Sequence, residues 1–434
     1  MRFIADLHIH SHYSRATSPA MNIVSLSRWS QLKGTSVMGT GDFTHPKWFA
    51  EMEEKLEPAE DGLFRLQSKY EEEVEIEVPE SCRGKMRFML SAEVSTIYKK
   101  GDRVRKVHSL LFAPSFDVVR KINSVLATIG NISYDGRPIL GLDTKELLKI
   151  ILDASPECML IPAHAWTPHF AVFGSNSGFD SLEECFDELA PEVFAIETGL
   201  SSDPAMNWQV ESLDPIALIS NSDAHSVEKL GREANIFNTT LSYYAIRDAL
   251  RTNDLKAFEK TIEFFPEEGK YHLDGHRHCG IKMMPEETIK RKNICPKCKK
   301  PVTVGVLHRV EALASYPHGR KPKRARPFVN IIPLPEILGE VVGTSAKSKK
   351  VFKLYHEMLA RLGSEFTILL ETPLGDIEAQ AGSIVAEAIR KMRDGTVSID
   401  PGYDGEYGHV SIWSDEERAA VRAGLGARQK ALFL

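Results

Sequence analysis

The sequence of 434 residues has few cysteines, few aromatic side chains and no long run of apolar residues. Six cysteines are too few for a disulfide framework in a chain of this length, which argues against a disulfide-stabilised secreted protein. No apolar stretch approaches the length that crosses a bilayer, and Asp6 interrupts the N-terminus before an apolar signal region can form. We therefore expect a cytoplasmic protein without a membrane segment.

The charge is small overall but uneven along the chain. A formal net charge of -6 argues against attraction of nucleic acid to the whole surface. Between Lys282 and Arg326, however, thirteen Lys or Arg residues stand against three Glu residues. This stretch favours a local surface that binds a polyanion, and a merely solvated basic surface is the alternative.

Short apolar runs alternate with longer amphipathic segments through the first 265 residues. The runs are typical of β-strands and cover Arg2–His8, Ser36–Asp42, Phe88–Val94, Val107–Phe112, Met159–His164, Val193–Glu197 and Ile216–Asn221. Helical patterns lie between several of them, and the clearest begins at Asp143, which can cap the following helix. This alternation predicts an α/β fold with a parallel sheet, and closure into a barrel would gather the strand ends at one mouth.

Further regions follow this predicted barrel of residues 1–265. Residues 266–310 are rich in His, Cys, Lys and Gly with little periodicity, which is typical of a small module held by metal. Residues 311–428 begin with a basic loop broken by prolines and continue with helical patterns, for instance at Lys349–Leu362 and Ala379–Arg393. We expect a mostly helical C-terminal region there.

Histidines and acidic residues fall at the ends of the predicted strands or within them. His8 and His10 are one residue apart, so both imidazoles point to the same face of a strand. Asp223 and His225 repeat this spacing after the seventh strand. The other candidates are Asp42, His45, Glu93, His108 and His164.

A single histidine at a strand end is more often a satisfied polar residue than a metal ligand. The interpretation changes when seven strand ends bring imidazole or carboxylate groups to one barrel mouth. The acids then need cations to offset their charge, and the imidazoles offer lone pairs that can bind them. The pattern predicts divalent ions, with Mg²⁺, Mn²⁺ and Zn²⁺ all open. Glu93 and Asp223 should matter most, since a carboxylate readily bridges two cations.

In order and spacing these residues resemble the polymerase-and-histidinol-phosphatase (PHP) family. The resemblance implies a distorted seven-stranded barrel with two or three metal ions that hydrolyses a phosphoester. It implies that His8, His10, Glu93 and Asp223 hold one ion and carry catalysis, that Glu93, His108 and His164 hold a second, and that His225 with Asp42 or His45 holds a third. The family has Asp and His in direct succession where Phe43 and Thr44 separate Asp42 from His45, so both stay candidates.

A second set of ligand-type residues lies in the 266–310 module. Cys295 and Cys298 form a Cys-x-x-Cys knuckle, and His276 and Cys279 repeat its spacing upstream. This pairing predicts one structural zinc ion, with His278 as a competing ligand to His276. A redox Cys-x-x-Cys is the alternative, but the thioredoxin-like strand and helix context is missing.

Longer runs of the sequence are similar to the endonuclease Q family, and the similarity covers nearly all of the chain. The runs are Ala163–Pro168, Phe173–Ser181, Ser220–Ser226 and Pro401–Gly408. The resemblance implies cleavage of DNA on the 5′ side of a deaminated base (uracil, hypoxanthine or xanthine) or of an abasic site. A damaged nucleotide must then leave the base stack, and Trp166, Phe170 and Phe173 are candidates to cover it, with an apolar barrel rim as the alternative.

The C-terminal part contains predicted partner-binding segments. A basic loop is a candidate clamp on phosphate groups, which would make residues 311–428 a DNA-binding region; its cations are Arg320, Lys321, Lys323, Arg324 and Arg326. The tail, residues 429–434, resembles a bacterial sliding-clamp peptide through Gln429, Leu432 and Phe433, with an unremarkable apolar terminus as the alternative. The expected location is then the cytoplasm, at the nucleoid.

Other functions compete with a DNA endonuclease. A small-molecule phosphomonoesterase of the PHP type needs only the barrel and leaves residues 266–434 without a role. A metal-free DNA-binding accessory protein would not need the apparently complete set of ligands. Both alternatives explain less of the sequence than a metal-dependent endodeoxyribonuclease.

Overall fold

Strands of both orientations form the main sheet of the protein. A computed structural model describes residues 1–419. The strands of the first 265 residues are β1 (Arg2–Asp6), β2 (Val37–Gly39), β3 (Leu56–Pro58), β4 (Phe64–Leu66), β5 (Arg87–Lys100), β6 (Arg103–Ala113), β7 (Ile139–Leu140), β8 (Met159–Pro162), β9 (Ala195–Glu197), β10 (Ala217–Ile219), β11 (Ala234–Asn238) and β12 (Phe258–Glu263).

The sheet is mixed rather than parallel throughout. β1, β2 and β5 are parallel neighbours, as predicted. β5 pairs antiparallel with β6, β6 with β8, and β1 with β11, so the expectation of an all-parallel sheet is wrong. The reason lies in the chain: only Gly101 and Asp102 separate β5 from β6, and so short a connection joins only antiparallel strands.

The seven predicted strands are divided between two sheets. Among residues 1–419, β9 and β10 form a separate parallel pair. Ala165 N donates to the Glu197 carbonyl at 2.9 Å, and an isolated bridge joins Ile9 to Ala224, so each end of this pair meets the main sheet. All seven strand regions contribute to one buried apolar cluster through Leu7, Val37, Met89, Leu110, Ile161, Ala195 and Ile219.

Helices cover the outside of these strands. They are α1 (Ile23–Lys33), α2 (Pro46–Lys55), α3 (Ser68–Glu77), α4 (Phe116–Ile129), α5 (Thr144–Ala154), α6 (Leu182–Phe186), α7 (Pro204–Asn207) and α8 (Tyr243–Arg251). Several begin at a side-chain cap, and the predicted cap Asp143 accepts a hydrogen bond from Lys145 N at 2.9 Å. Such a cap fixes the residue at which a loop ends and the next helix begins. It thereby limits the conformations of the loops that follow the strands.

The remainder of the chain packs onto this barrel-like body. It comprises β13 (Asp274–His276), β14 (Ile281–Met283), α9 (Pro285–Lys290), α10 (Val306–Leu313), β15 (Phe328–Asn330), α11 (Leu334–Val342), α12 (Lys349–Leu362), α13 (Leu374–Ala381), α14 (Ser383–Arg393), β16 (Ser398–Asp400) and β17 (His409–Ser411). β15 pairs in parallel with β12, so the C-terminal part extends the main sheet. Within the described residues, no helix is both long and apolar enough to cross a membrane.

Candidate metal centre

Six of the predicted ligands converge where the strands open at one end of the body. They form two groups that could each hold a metal ion, His8, His10, Glu93 and Asp223 in the first and Glu93, His108 and His164 in the second. The donor atoms within each group lie within 4.8 Å of one another. Glu93 belongs to both groups, as expected of a bridging carboxylate.

Glu93 divides its two oxygens between the groups. Its Oε2 lies 3.2 Å from His10 Nε2 and 3.7 Å from His8 Nε2. Its Oε1 lies 2.6 Å from His108 Nδ1 and 3.1 Å from His164 Nε2. Asp223 closes the first group, because its Oδ1 lies 3.1 Å from His10 Nε2.

The donor atoms of the first group suit a divalent cation. His8 Nε2, His10 Nε2 and Asp223 Oδ1 are all buried and have no hydrogen-bond partner within residues 1–419. Buried polar atoms rarely stay unpaired, because the loss of hydration is not compensated. Imidazole nitrogens and carboxylate oxygens that point at one space are a typical ligand set for such ions. These residues therefore fit the metal that the PHP resemblance implies.

Carboxylates behind the histidines select the required tautomer. Glu197 Oε1 accepts a hydrogen bond from His8 Nδ1 at 3.0 Å, and Asp42 Oδ1 accepts one from His10 Nδ1 at 3.1 Å. An ionised carboxylate only accepts, so each Nδ1 carries a proton, and Nε2 is the nitrogen of each ring that faces the pocket. Such partners also hold the ring orientation of a ligand.

The charges around the site favour cations. Burial alone would lower the pKa of His8, but Glu197 and Asp223 raise it well above its ordinary value. Burial alone would raise the pKa of Glu93, but His108 and Arg137 lower it well below its ordinary value. Glu93 therefore stays ionised, and its charge attracts positive groups into the pocket.

The backbone is strained at the strand ends of the site. Asp42, His164 and Asp223 have positive φ angles of 52°, 30° and 46°. Residues other than glycine seldom adopt this region, and such strain clusters at functional sites. Phe170, at φ 59°, adopts it beside the same pocket. Backbone of this kind thus recurs at three of the strand ends that supply the site.

The predicted third group is not assembled among the described residues. The His225 ring lies 4.5 Å from the His10 ring, and its Nδ1 contacts the Asp223 carbonyl at 3.0 Å. His45 Nε2 contacts the Ser133 carbonyl at 3.2 Å, and its ring stacks on Tyr13. Asp42 accepts hydrogen bonds from Ser11 as well as from His10. Its place is thus behind a ligand.

Two residues of the site were missed at the level of sequence. Glu197 ends one of the predicted strands, so the rule that found the histidines could have included it. Arg137 follows no pattern, yet its Nη1 donates to Glu93 Oε2 at 3.0 Å. It lines a cleft together with His108 and Phe170. Arg137 therefore places a fixed positive charge beside the shared carboxylate.

Of the aromatic residues predicted to cover a displaced base, only Phe170 borders the cleft. Its ring lies 4.7 Å from the His108 ring. Trp166 and Phe173 are only 1% and 2% exposed and pack on each other, and Trp166 Nε1 donates to Asn207. The prediction of a base contact is wrong for Trp166 and Phe173, because both belong to the core beneath the rim.

The basic loop is attached to the body through its arginines. Arg320 Nη1 donates to Asp214 at 2.8 Å, Arg324 donates to the Thr252 carbonyl at 3.1 Å, and Arg326 is buried against Phe258. These contacts hold the loop in place, and Arg320 and Arg326 use their guanidinium groups on the body, whereas Arg324 is exposed. Lys321 and Lys323 are exposed.

The second predicted metal site is also brought together. His276, Cys279, Cys295 and Cys298 place their donor atoms within 4.8 Å of one another, whereas His278 is outside the group. Apart from these residues the module has a very small buried core, formed by Met283 and Val302. Four ligands of this type with so small a core are typical of structural zinc.

Comparison with known proteins detects relatives over different parts of the chain. A family model described as the MJ0043 C-terminal domain matches residues 333–396. The uncharacterized protein MJ0043 of Methanocaldococcus jannaschii is 31% identical over 259 residues, which cover 57% of this chain and 31% of that protein. The chain thus spans less than a third of the length of that curated relative.

Two solved structures match over nearly the whole chain. The lesion-specific endonuclease PfuEndoQ from Pyrococcus furiosus is 30% identical, with a TM-score of 0.81, and the match covers 97% of this chain and 99% of that one. The structure of endonuclease Q in complex with a 27-mer duplex substrate with an abasic lesion at the active site is 31% identical, with a TM-score of 0.81 and coverage of 96% and 98%.

The orienting role of Glu197 can be tested by Glu197→Gln. The amide keeps the size of the side chain but brings an N–H₂ group toward donors such as His164 N and Asn221 Nδ2. We expect the affinity for Mn²⁺, measured by calorimetric titration, to fall about 10- to 100-fold. Glu183→Gln, an exposed change on α6, is the control and should bind as the unchanged protein does. Equal affinity of both variants would contradict the role of Glu197.

The zinc group can be tested by Cys295→Ser. Loss of one thiolate should remove one equivalent of zinc per chain and lower the thermal midpoint, because the module has little apolar core of its own. Mass spectrometry of bound metals and a thermal melt measure the two effects. Cys158→Ser, at a buried thiol outside the module, should keep its zinc. Full zinc content in Cys295→Ser would refute the assignment.

Proposed function

This chain belongs to the endonuclease Q family, and we propose that it is a DNA repair endonuclease that hydrolyses a phosphodiester beside a damaged nucleotide. The observation that supports this most directly is Glu93, which offers one oxygen to each of two histidine-containing groups. A carboxylate in this position allows two cations to lie close to one phosphate group. The near full-length likeness to endonuclease Q structures supports DNA as the phosphate-bearing substrate.

The residues of the site have separate roles in this reaction. Neighbouring divalent ions, when bound, supply Lewis acidity that favours loss of a proton from water and offsets charge on phosphate oxygens. His8, His10 and Asp223 would hold one ion, and His108 and His164 the other, with Glu93 shared. Glu197 and Asp42 keep the histidine lone pairs directed at the pocket. These carboxylates make the pocket specific for cations before an anionic substrate enters.

Arg137 reduces the repulsion between an entering phosphodiester and the carboxylates of the pocket. Its guanidinium lies 3.0 Å from Glu93 and lines the cleft that leads to the second group. A fixed cation there offsets negative charge near the entering phosphate. We infer that Arg137 contacts the phosphate group of the substrate, whereas Glu93 would hold the metal ions.

We further propose that the cut lies on the 5′ side of a deaminated base or an abasic site. Such a nucleotide is easily displaced from the stack, and an aromatic side chain near the metal centre would cover it. Phe170 supports this assignment, since it is partly exposed beside His108. Lys321 and Lys323 remain proposed contacts to the DNA backbone on the basic loop.

The nuclease proposal predicts nicking of a labelled duplex that contains one deoxyuridine, deoxyinosine or abasic site. Nicking should require divalent metal. It should fall below detection in Asp223→Asn, because an amide would bind a metal ion in the His8, His10, Glu93 and Asp223 group more weakly than the carboxylate does. Asp117→Asn, on the exposed side of α4, should nick at the unchanged rate.

Product lengths on a denaturing gel give both the rate and the side of the cut. Rapid hydrolysis of a phosphomonoester without any nicking would contradict the proposal and favour the small-molecule phosphatase. Nicking of undamaged duplex at the same rate would contradict lesion specificity alone.

We extend the proposal to a bacterial sliding clamp as a partner of residues 429–434. This tail lies outside the described residues, and the pattern of Gln429, Leu432 and Phe433 is what supports the extension. A chain that ends at residue 428 should lose clamp binding in a pulldown and should nick at the full rate. Binding of the clamp by the shortened chain would refute the tail as the docking peptide.

A further inference from the structure

The strands β5 and β6 extend beyond the metal centre as a two-stranded arm, residues 97–106. Its register pairs Ser95 with His108, Ile97 with Lys106 and Lys99 with Val104. Successive side chains of a strand point to opposite faces, whereas directly paired residues share a face. Lys99 and Lys106 therefore lie on the face of the arm that carries the ligand His108.

The opposite face of the arm is bound to the body of the protein. Lys100 Nζ donates to the Cys185 carbonyl at 3.1 Å and to Asp187 at 3.0 Å. The Arg105 guanidinium lies 4.1 Å from the centre of the Phe179 ring and donates to the Gly178 carbonyl. These contacts hold the arm in place, so the orientation of its two faces is determined by packing.

On the face that carries His108, the lysine side chains have no carboxylate or carbonyl partner among the described residues. Within residues 1–419, Lys99 is exposed and has neither a hydrogen bond nor an ion pair. Lys106 Nζ lies 5.4 Å from the centre of the Phe170 ring, and no carboxylate pairs with it there. Val104, between these lysines, is 55% exposed. Lys99 and Lys106 are thus two cations on the His108 face that lack a carboxylate or carbonyl partner within residues 1–419.

We propose that this face of the arm binds the phosphate backbone of the DNA strand that enters the metal centre. The proposal rests on the nuclease function and names the surface that holds its substrate. Lys106 pairs with Ile97, which lies two residues before Lys99 on β5, so the two lysines are about 7 Å apart along the arm. At this separation each lysine can contact a different phosphate group. The arginines of the basic loop are already engaged with the body, whereas these lysines are available.

The arm also explains how a protein with a net charge of -6 binds a polyanion. Lysines on one exposed face produce a local positive potential that the net charge does not reveal. Contacts to phosphate groups give affinity without sequence information, which suits a surface beside a lesion in any sequence context. In this proposal the pocket recognises the lesion, and the arm fixes the position of the DNA strand relative to the metal centre.

The test compares the double variant Lys99→Gln, Lys106→Gln with Arg103→Gln. Arg103 pairs with Lys100 in the register, so it lies on the opposite face, and it is an exposed cation of the same arm. Fluorescence anisotropy with a labelled duplex carrying one abasic analogue, in buffer without added divalent ions, gives the dissociation constant over a series of KCl concentrations. The measurement is independent of cleavage.

We expect the double variant to bind more weakly and the slope of log K against log salt to flatten by about 1.4 to 1.8, since each lost phosphate contact contributes about 0.7 to 0.9. Arg103→Gln should keep the affinity and slope of the unchanged protein. The double change to arginine, Lys99→Arg with Lys106→Arg, should restore both, which shows that charge and not folding is responsible.

The possible results separate this proposal from the nuclease function. If the unchanged protein nicks and binds the lesion duplex but the double variant keeps its slope, the arm proposal alone is overturned. If Arg103→Gln loses as much as the double variant, the effect does not belong to one face, and the arm proposal is overturned as well. If the unchanged protein neither nicks nor binds, both proposals fail.

Discussion

The organisation of this protein depends on one buried carboxylate that faces two pairs of histidines. Glu93 places Oε2 toward His8 and His10 and Oε1 toward His108 and His164. This geometry needs three other chain segments, which carry His8 and His10, His108, and His164, to meet at β5. β5 itself is buried along most of its length. The fold can therefore be understood as the scaffold that brings these segments to one carboxylate.

Gathering carboxylates in the interior is electrostatically costly, and the structure compensates for it locally. Glu197 and Asp42 each accept a hydrogen bond from a histidine, and Arg137 pairs with Glu93. Burial without such partners would favour the protonated acids. Because the partners are in place, the pKa values of Asp42 and Glu93 are lowered in spite of burial. The pocket is thereby prepared for cations at neutral pH.

Positive charge serves different purposes in different parts of the chain. Arg320, Arg324 and Arg326 attach the basic loop to the body, where a planar guanidinium bonds to carboxylate and carbonyl oxygens. On the β5–β6 arm, Lys100 and Arg105 likewise face the body, and Lys99 and Lys106 do not. A count of cations along the sequence does not separate these roles, because it does not contain the partner of each charge.

Residue type and spacing were sufficient to predict which six residues converge at the candidate centre, which four lie together in the 266–310 module, and the cap at Asp143. These features are local, since an imidazole at a strand end or a paired Cys-x-x-Cys indicates its chemistry without long-range contacts. Long-range packing decided the rest. It made the sheet mixed, placed Asp42 behind His10, buried Trp166 and Phe173, and brought Arg137 beside Glu93. Each of these outcomes depends on which distant segment supplies the partner, and only the tertiary structure contains that information.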